Sequence, residues 1–300
     1  MTNIDLAPQP FDEIVEGGIT LRGDAWGDPA HAPVLMTHGG GQSRQAWRKS
    51  AGALAEAGHY VVTVDARGHG ESDWAGDGNY GMEIMSRDVL TLLRRFDRPP
   101  VVVGASMGGM SALLAQHARD HQLYSGLVLV DVTPRMDPGG VRRIVEFMTA
   151  HPNGFASLED AAEKIAAYNP HRERSTNTDG LRRIMREKDG RWHWQWDPAF
   201  MSPGGEGMKL DHDARDAHME DMAERMLEAA ARLTVPVLLV RGAQSDVVSE
   251  ENVAEFRAAV PHAEYVDVSG TGHMVAGDDN DAFTSAVLGF LRGETGAYSV

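Results

Sequence analysis

The sequence predicts an α/β fold in which a mostly parallel sheet is covered by helices on both faces. Three observations lead there. Unbroken apolar runs such as Val61-Val62-Thr63-Val64, Val101-Val102-Val103 and Leu127-Val128-Leu129-Val130 alternate with helical patterns, as strands buried on both faces do. Each run ends in a Gly-rich or polar turn, where active sites of such sheets gather. Between Thr133 and Arg232 the strand pattern lapses and charged, helix-like sequence punctuated by Pro and Gly takes its place.

The elements follow in order. Ile14 to Trp26 carries Gly17-Gly18 between alternating apolar positions and reads as an antiparallel hairpin. Val34 to Thr37 is a buried strand running into His38-Gly39-Gly40-Gly41. Ser43 offers a helix cap, and Ala46, Trp47, Ala51, Leu54 and Ala55 mark one helical face. The strand at 60–64 ends in Asp65-Ala66-Arg67-Gly68-His69-Gly70-Glu71-Ser72, and a helix spans Ile84 to Phe96. The strand at 101–103 turns at Gly104 to Gly109 into a helix reaching His117, and the strand at 127–130 ends at Asp131. Strands resume at Val235 to Val240 and Tyr265 to Val268, and Ala282 to Leu291 is a final helix. The expected domains are a core in two parts, 1–132 and 233–300, with an inserted helical cap at 133–232.

The 300 residues include 42% hydrophobic ones, enough for a sizeable core. A net charge of −16 disfavours nucleic acid and anionic membranes as partners. With no cysteine, thiol nucleophiles, disulfides and thiolate metal sites are excluded. The start Met1-Thr2-Asn3-Ile4-Asp5-Leu6 lacks a signal-peptide pattern and no apolar stretch would span a bilayer. A cytoplasmic protein acting on a small molecule, alone or as a homodimer, is expected.

Gly104-Ala105-Ser106-Met107-Gly108 fits the G-x-S-x-G nucleophile elbow. A strand must turn sharply into a helix there, so small residues flank the serine and its hydroxyl stands clear of the sheet. The helix N-terminus favours developing negative charge. Ser106 is therefore the candidate nucleophile; the plainer alternative is a tight turn with an idle serine. Its base must be a histidine that titrates near neutral pH. Of 13 histidines, His273 follows the last strand in Ser269-Gly270-Thr271-Gly272-His273, at the sheet edge where Ser106 sits.

The acid that orients the base lies between the two in chain order. Asp246 and Asp131 both follow buried strands. Asp246 is favoured because its turn is the commoner acid position in this topology, and Asp131 is the alternative acid. Asp65 precedes the serine and is expected to stabilise its own turn. Acyl transfer also needs two backbone donors for the developing oxyanion. Met107 supplies one, and Gly40 is the best candidate for the other, with Gly39 or Gly41 as alternatives. The Gly run lacks the Lys-Ser/Thr of a P-loop, so it is a weak phosphate cradle.

Together, His38-Gly39-Gly40, Asp65 to Ser72, Gly104 to Gly109, Asp246 and Gly272-His273 resemble the α/β-hydrolase superfamily, and most of all its carboxylesterases, lactonases, cofactor-free haloperoxidases and epoxide hydrolases. The resemblance implies an eight-stranded core sheet with a helical cap after strand six. Ser106 stands where epoxide hydrolases and haloalkane dehalogenases of this fold carry aspartate, which disfavours their chemistry. A serine implies an acyl-enzyme and cleavage of an ester, thioester, lactone or amide. The chain is also similar to carbon–carbon hydrolases of aromatic ring-cleavage products, although Gln42-Ser43-Arg44 lacks their Pro-Gly continuation. A small-molecule receptor with an idle triad is the non-enzymatic alternative.

Within the cap, Arg191-Trp192-His193-Trp194-Gln195-Trp196 would align three tryptophans on one face if extended. Trp192, Trp194 and Trp196 are therefore candidate substrate-binding residues beside Gly39, with cap packing as the plainer reading. Met107 and Met148 would add an adaptable wall. The cap is locally basic at Arg172, Arg174, Arg182, Arg183 and Arg186, which reads as a solvated face or as a carboxylate partner. Asp278-Asp279-Asn280-Asp281 lacks EF-hand spacing. No metal and no cofactor is expected.

Overall fold

The computed structural model describes residues 7–168, 178–201, 212–268 and 281–294. Strands β1 (Gln9–Val15) and β2 (Ile19–Trp26) form the expected hairpin, closed around Gly17 and Gly18. Then come β3 (Ala32–Thr37), α1 (Arg48–Glu56), β4 (His59–Val64), α2 (Met82–Leu93), β5 (Val101–Ala105), α3 (Met107–His117) and β6 (Gly126–Val130). The insertion holds α4 (Pro138–Thr149), α5 (Leu158–Tyr168), a short hairpin of β7 (Met185–Lys188) and β8 (Arg191–Trp194), and α6 (His212–Ala231). The chain returns through β9 (Val237–Gly242), α7 (Glu250–Ala259), β10 (Glu264–Val268) and α8 (Asp281–Leu291).

Eight strands build one sheet in the order β1-β2-β4-β3-β5-β6-β9-β10. The six from β4 to β10 are mutually parallel, and β1 and β2 run antiparallel at one edge. Alternate residues of each apolar run serve opposite faces. Leu35, Val62, Val102, Leu127, Leu129 and Leu239 pack with α2, α3, α6 and α7 through Leu92, Leu113, Met226 and Phe256. Val34, Met36, Val61, Val103, Val128 and Val240 pack with α1 and α8 through Trp47, Leu54, Phe283 and Phe290. Coverage on both faces is why these runs do not alternate with polar residues.

Two features of the insertion add to the sequence expectation of a helical cap at 133–232. First, it contains the β7–β8 hairpin, whose two-residue turn Asp189-Gly190 has positive φ at both positions (52° and 72°). Second, Met222, Met226 and Ala230 of α6 belong to the main core, so the second half of that helix covers the sheet rather than the cleft. The cap has its own small core of Phe155, Leu158, Ala161 and Met185. Among the described residues, no helix is long and apolar enough to cross a membrane.

Candidate active site

The sharp turn at the end of β5 is built as its glycines require. Ser106 caps α3 with φ 45° and ψ −115°, a strained conformation for a residue with a Cβ. A Cβ on Gly104 would lie 2.6 Å from the Gly109 backbone, and one on Gly108 would lie 2.5 Å from the Thr37 carbonyl oxygen. The Ser106 N–H donates to the Val130 carbonyl at 3.1 Å, which ties the turn to the end of β6. Ser106 is half-buried and faces a cavity of about 1270 Å³ between the sheet and the cap.

The Gly39-Gly40-Gly41 turn borders the same cavity, and a Cβ on Gly39 would stand 3.4 Å from that of Ser106. Its amides are not equivalent. Gly39 donates to the Gln42 side chain at 3.0 Å and Gly41 to Nε2 of His69 at 3.1 Å. The Gly40 N–H has no partner among the described residues. Met107 opens α3, whose first amides have no acceptor within the helix. Gly40 and Met107 thus present two open donors beside Ser106, the arrangement that an oxyanion needs.

Two buried histidines that sequence reasoning left unassigned hold this turn. His38 accepts the Ala66 N–H on Nε2 at 2.9 Å, so its Nδ1–H donates to the Gly39 carbonyl at 2.8 Å. His69 accepts from Gly41 on Nε2, and its Nδ1–H donates to the Arg67 carbonyl at 3.0 Å. Each ring is therefore neutral in a single tautomer. Burial pushes His38 down to about 4; burial and the neighbouring His38 push His69 down to about 3. Beneath them Asp65 stabilises its own turn, as expected from the sequence. It accepts the Arg44 and Glu71 N–H groups at 2.6 and 2.9 Å and pairs with the Arg44 guanidinium, which also bonds Asp24 and Glu71.

The two candidate acids occupy different surroundings. Asp131 is 1% exposed, at φ 49°, directly after the residue that receives the Ser106 N–H. Its Oδ1 accepts the Gly242 N–H at 3.0 Å and its Oδ2 the Ser245 hydroxyl at 2.7 Å. Asp246 points into a separate cleft with Asp137, Gly140 and Ser249, where its carboxylate pairs with Arg143 of α4. The sequence favoured Asp246; in the structure that carboxylate lies beside the Arg143 guanidinium of the cap. His273 and Asp278 to Asn280 lie outside the described residues.

The cap tryptophans also separate. Trp194 and Trp196 line the cavity, Trp196 reaching within 3.7 Å of the site of a Cβ on Gly41. Trp192 does not line it. It packs on the cap's small core, with the Arg182 guanidinium 5.2 Å from its ring centroid. Arg186 stacks on Trp74 at 4.2 Å, and Arg183 lines the cavity, whereas Arg172 and Arg174 fall outside the described residues. Met82, Met107, Met110, Met136, Met148 and Met201 supply the expected adaptable wall.

A family model for the alpha/beta hydrolase fold matches residues 32–279, from the first parallel strand to the edge of the last helix. The chain belongs to the α/β-hydrolase family. Among relatives of this α/β-hydrolase, esterase Rv0045c of Mycobacterium tuberculosis is 32% identical over 298 residues, covering 95% of this chain and 90% of that protein. The 3-hydroxybutyrate-oligomer hydrolase of Cupriavidus necator is 32% identical over 259 residues, covering 83% and 85%. The crystal structure of Rv0045c superimposes with a TM-score of 0.68 at 29% identity, covering 95% of this chain and 92% of that one. The α/β-hydrolase described here is thus an enzyme whose relatives are named esterases, lipases and hydrolases.

Proposed function

We propose that this α/β-hydrolase cleaves a carboxylic ester or lactone of a hydrophobic or aromatic small molecule through an acyl-enzyme on Ser106. The observation that carries the reading is the strained Ser106 elbow opening into a cavity lined by apolar cap residues and flanked by the open Gly40 and Met107 amides. His273 takes the Ser106 proton as the oxygen attacks the carbonyl carbon, and the two amides hold the oxyanion. His273 then gives that proton to the departing alcohol oxygen, and the C–O bond breaks. Water, deprotonated by His273, releases the acid and restores Ser106.

For the acid that orients His273, the surroundings support Asp131 over Asp246. Asp131 is buried at the sheet end beside the nucleophile turn, and its carboxylate is held by Gly242 and Ser245. α4 and α5 support an apolar substrate. Val141, Ile144, Val145 and Met148 form one stripe and Ala162, Ile165 and Ala166 another, and both stripes face the cavity.

The test is hydrolysis of p-nitrophenyl esters of increasing acyl length by wild type and Ser106→Ala. Turnover that rises with chain length and disappears in the variant is expected. A wild type that is folded yet inactive on every ester would refute the proposal.

A further inference from the structure

Phe200 packs against Gly40, the residue whose amide is proposed to hold the oxyanion. Its Cζ is 3.4 Å and its Cε1 3.5 Å from where a Cβ on Gly40 would stand, nearer than the Met107 sulfur at 4.0 Å. The ring is braced on three others. It meets His69 edge-on with centroids 4.7 Å apart, Tyr80 at 6.2 Å and Trp196 at 6.3 Å. Its backbone is fixed as well. The Phe200 N–H donates to the Asp197 carbonyl at 2.9 Å, the Asp197 N–H to the Gly68 carbonyl at 2.7 Å, and the Tyr80 hydroxyl to the Asp197 carboxylate at 2.5 Å. A ring held this way cannot swing aside cheaply when a substrate enters.

Acyl transfer places the carbonyl oxygen about 3 Å from the Gly40 N–H. The first acyl carbon is one bond of about 1.5 Å from the carbonyl carbon. Any substituent there projects beside the oxyanion, into the space that the Phe200 rim bounds. A chain with a single continuation has the α4 and α5 stripes to follow, whereas a second branch on the same carbon would have to share the space that Phe200 borders.

We infer that Phe200 is a specificity-determining residue that selects acyl groups unbranched at the carbon next to the carbonyl. This rests on the esterase reading above. The chemical class is then straight-chain or arylalkyl acyl esters, with α-branched acyl esters rejected.

The test compares kcat/KM for p-nitrophenyl hexanoate and p-nitrophenyl 2-methylhexanoate in wild type, Phe200→Ala and Phe200→Leu. One methyl group in a tight pocket is worth roughly 10- to 200-fold in selectivity. Wild type is expected to favour the straight ester, and Phe200→Ala to raise the branched-to-straight ratio by about tenfold or more. Phe200→Leu, the safer variant for folding, should move it less in the same direction. A role confined to cap stability would lower both esters together and leave the ratio unchanged. Turnover of both esters with an unchanged ratio overturns the inference alone, as does a wild type indifferent to the branch. A wild type that cleaves neither ester overturns the esterase reading and this inference with it.

Discussion

Asp131 and Asp246 separate most clearly under the same perturbation, Asp to Asn. Asp131 is buried, and its two oxygens accept from Gly242 and Ser245. Asparagine keeps the shape and one acceptor but removes the charge, and it can offer an N–H where a histidine N–H must be received. In a Ser-His-Asp triad the wrong tautomer that results costs about 10⁴ in kcat, equivalent to about 5.5 kcal/mol of barrier. Asp131→Asn is therefore expected to lower kcat by about 10³- to 10⁴-fold with KM little changed. Asp246 pairs with Arg143, and their side chains are 29% and 61% exposed, so screening keeps that pair to about 1 kcal/mol or less. Asp246→Asn should cost stability of that order and change kcat by less than about tenfold. The assay is steady-state hydrolysis of p-nitrophenyl hexanoate, with urea midpoints to confirm folding. Near wild-type kcat in Asp131→Asn, or a 10³-fold loss confined to Asp246→Asn, would refute the assignment.

Other outcomes follow from the packing. Gly104→Ala would press a Cβ against the Gly109 backbone at 2.6 Å, and should destabilise the fold by about 3 kcal/mol and abolish hydrolysis; an unchanged urea midpoint would contradict the geometry of the turn. Tyr80→Phe leaves the buried Asp197 carboxylate without the tyrosine hydroxyl and should cost about 1–3 kcal/mol, read as a lowered thermal midpoint. His38 and His69 hold their pKa values at about 4 and about 3, below the free imidazole, so in acid the unfolded chain takes up their protons first. Their contribution to stability is thus full above about pH 6.5 and declines as pH falls toward 4, by up to about 1.4 kcal/mol per pH unit for each histidine. His69→Gln should show a shallower dependence of urea midpoint on pH over that interval; an identical slope would rule out a buried neutral His69.

The sheet, its helices and the nucleophile turn were legible in the sequence because their physics is local. A short, β-branched apolar run without alternation and closed by turn residues fits a strand covered on both faces, and Gly104, Gly108 and Gly109 are glycines because a Cβ at any of them would meet backbone or side-chain atoms closer than 3.0 Å. The open Gly40 amide was legible only as one of three neighbours. Its distinction from Gly39 and Gly41 depends on Gln42 and on His69, which lies 28 residues further along the chain from Gly41. The β7–β8 hairpin carried a local signal in Asp189-Gly190, but its strands of four residues each are too short and too charged for a period to stand out.

What the chain determined by itself was the scaffold: unbroken apolar runs make strands buried on both faces, and helical periods make helices that bury one face against them. The positions of Phe200 over Gly40, Met148 against Gly41 and Arg143 on Asp246 were decided only by tertiary structure. Each joins a cap residue to a core residue about 100 positions or more away, and such contacts leave no period. They exist because the cap is tied to the core at its start, through Asp137 to the Val247 carbonyl, and midway along, through Asp197 to Gly68 and Tyr80. Those anchors set which side chains overhang the nucleophile.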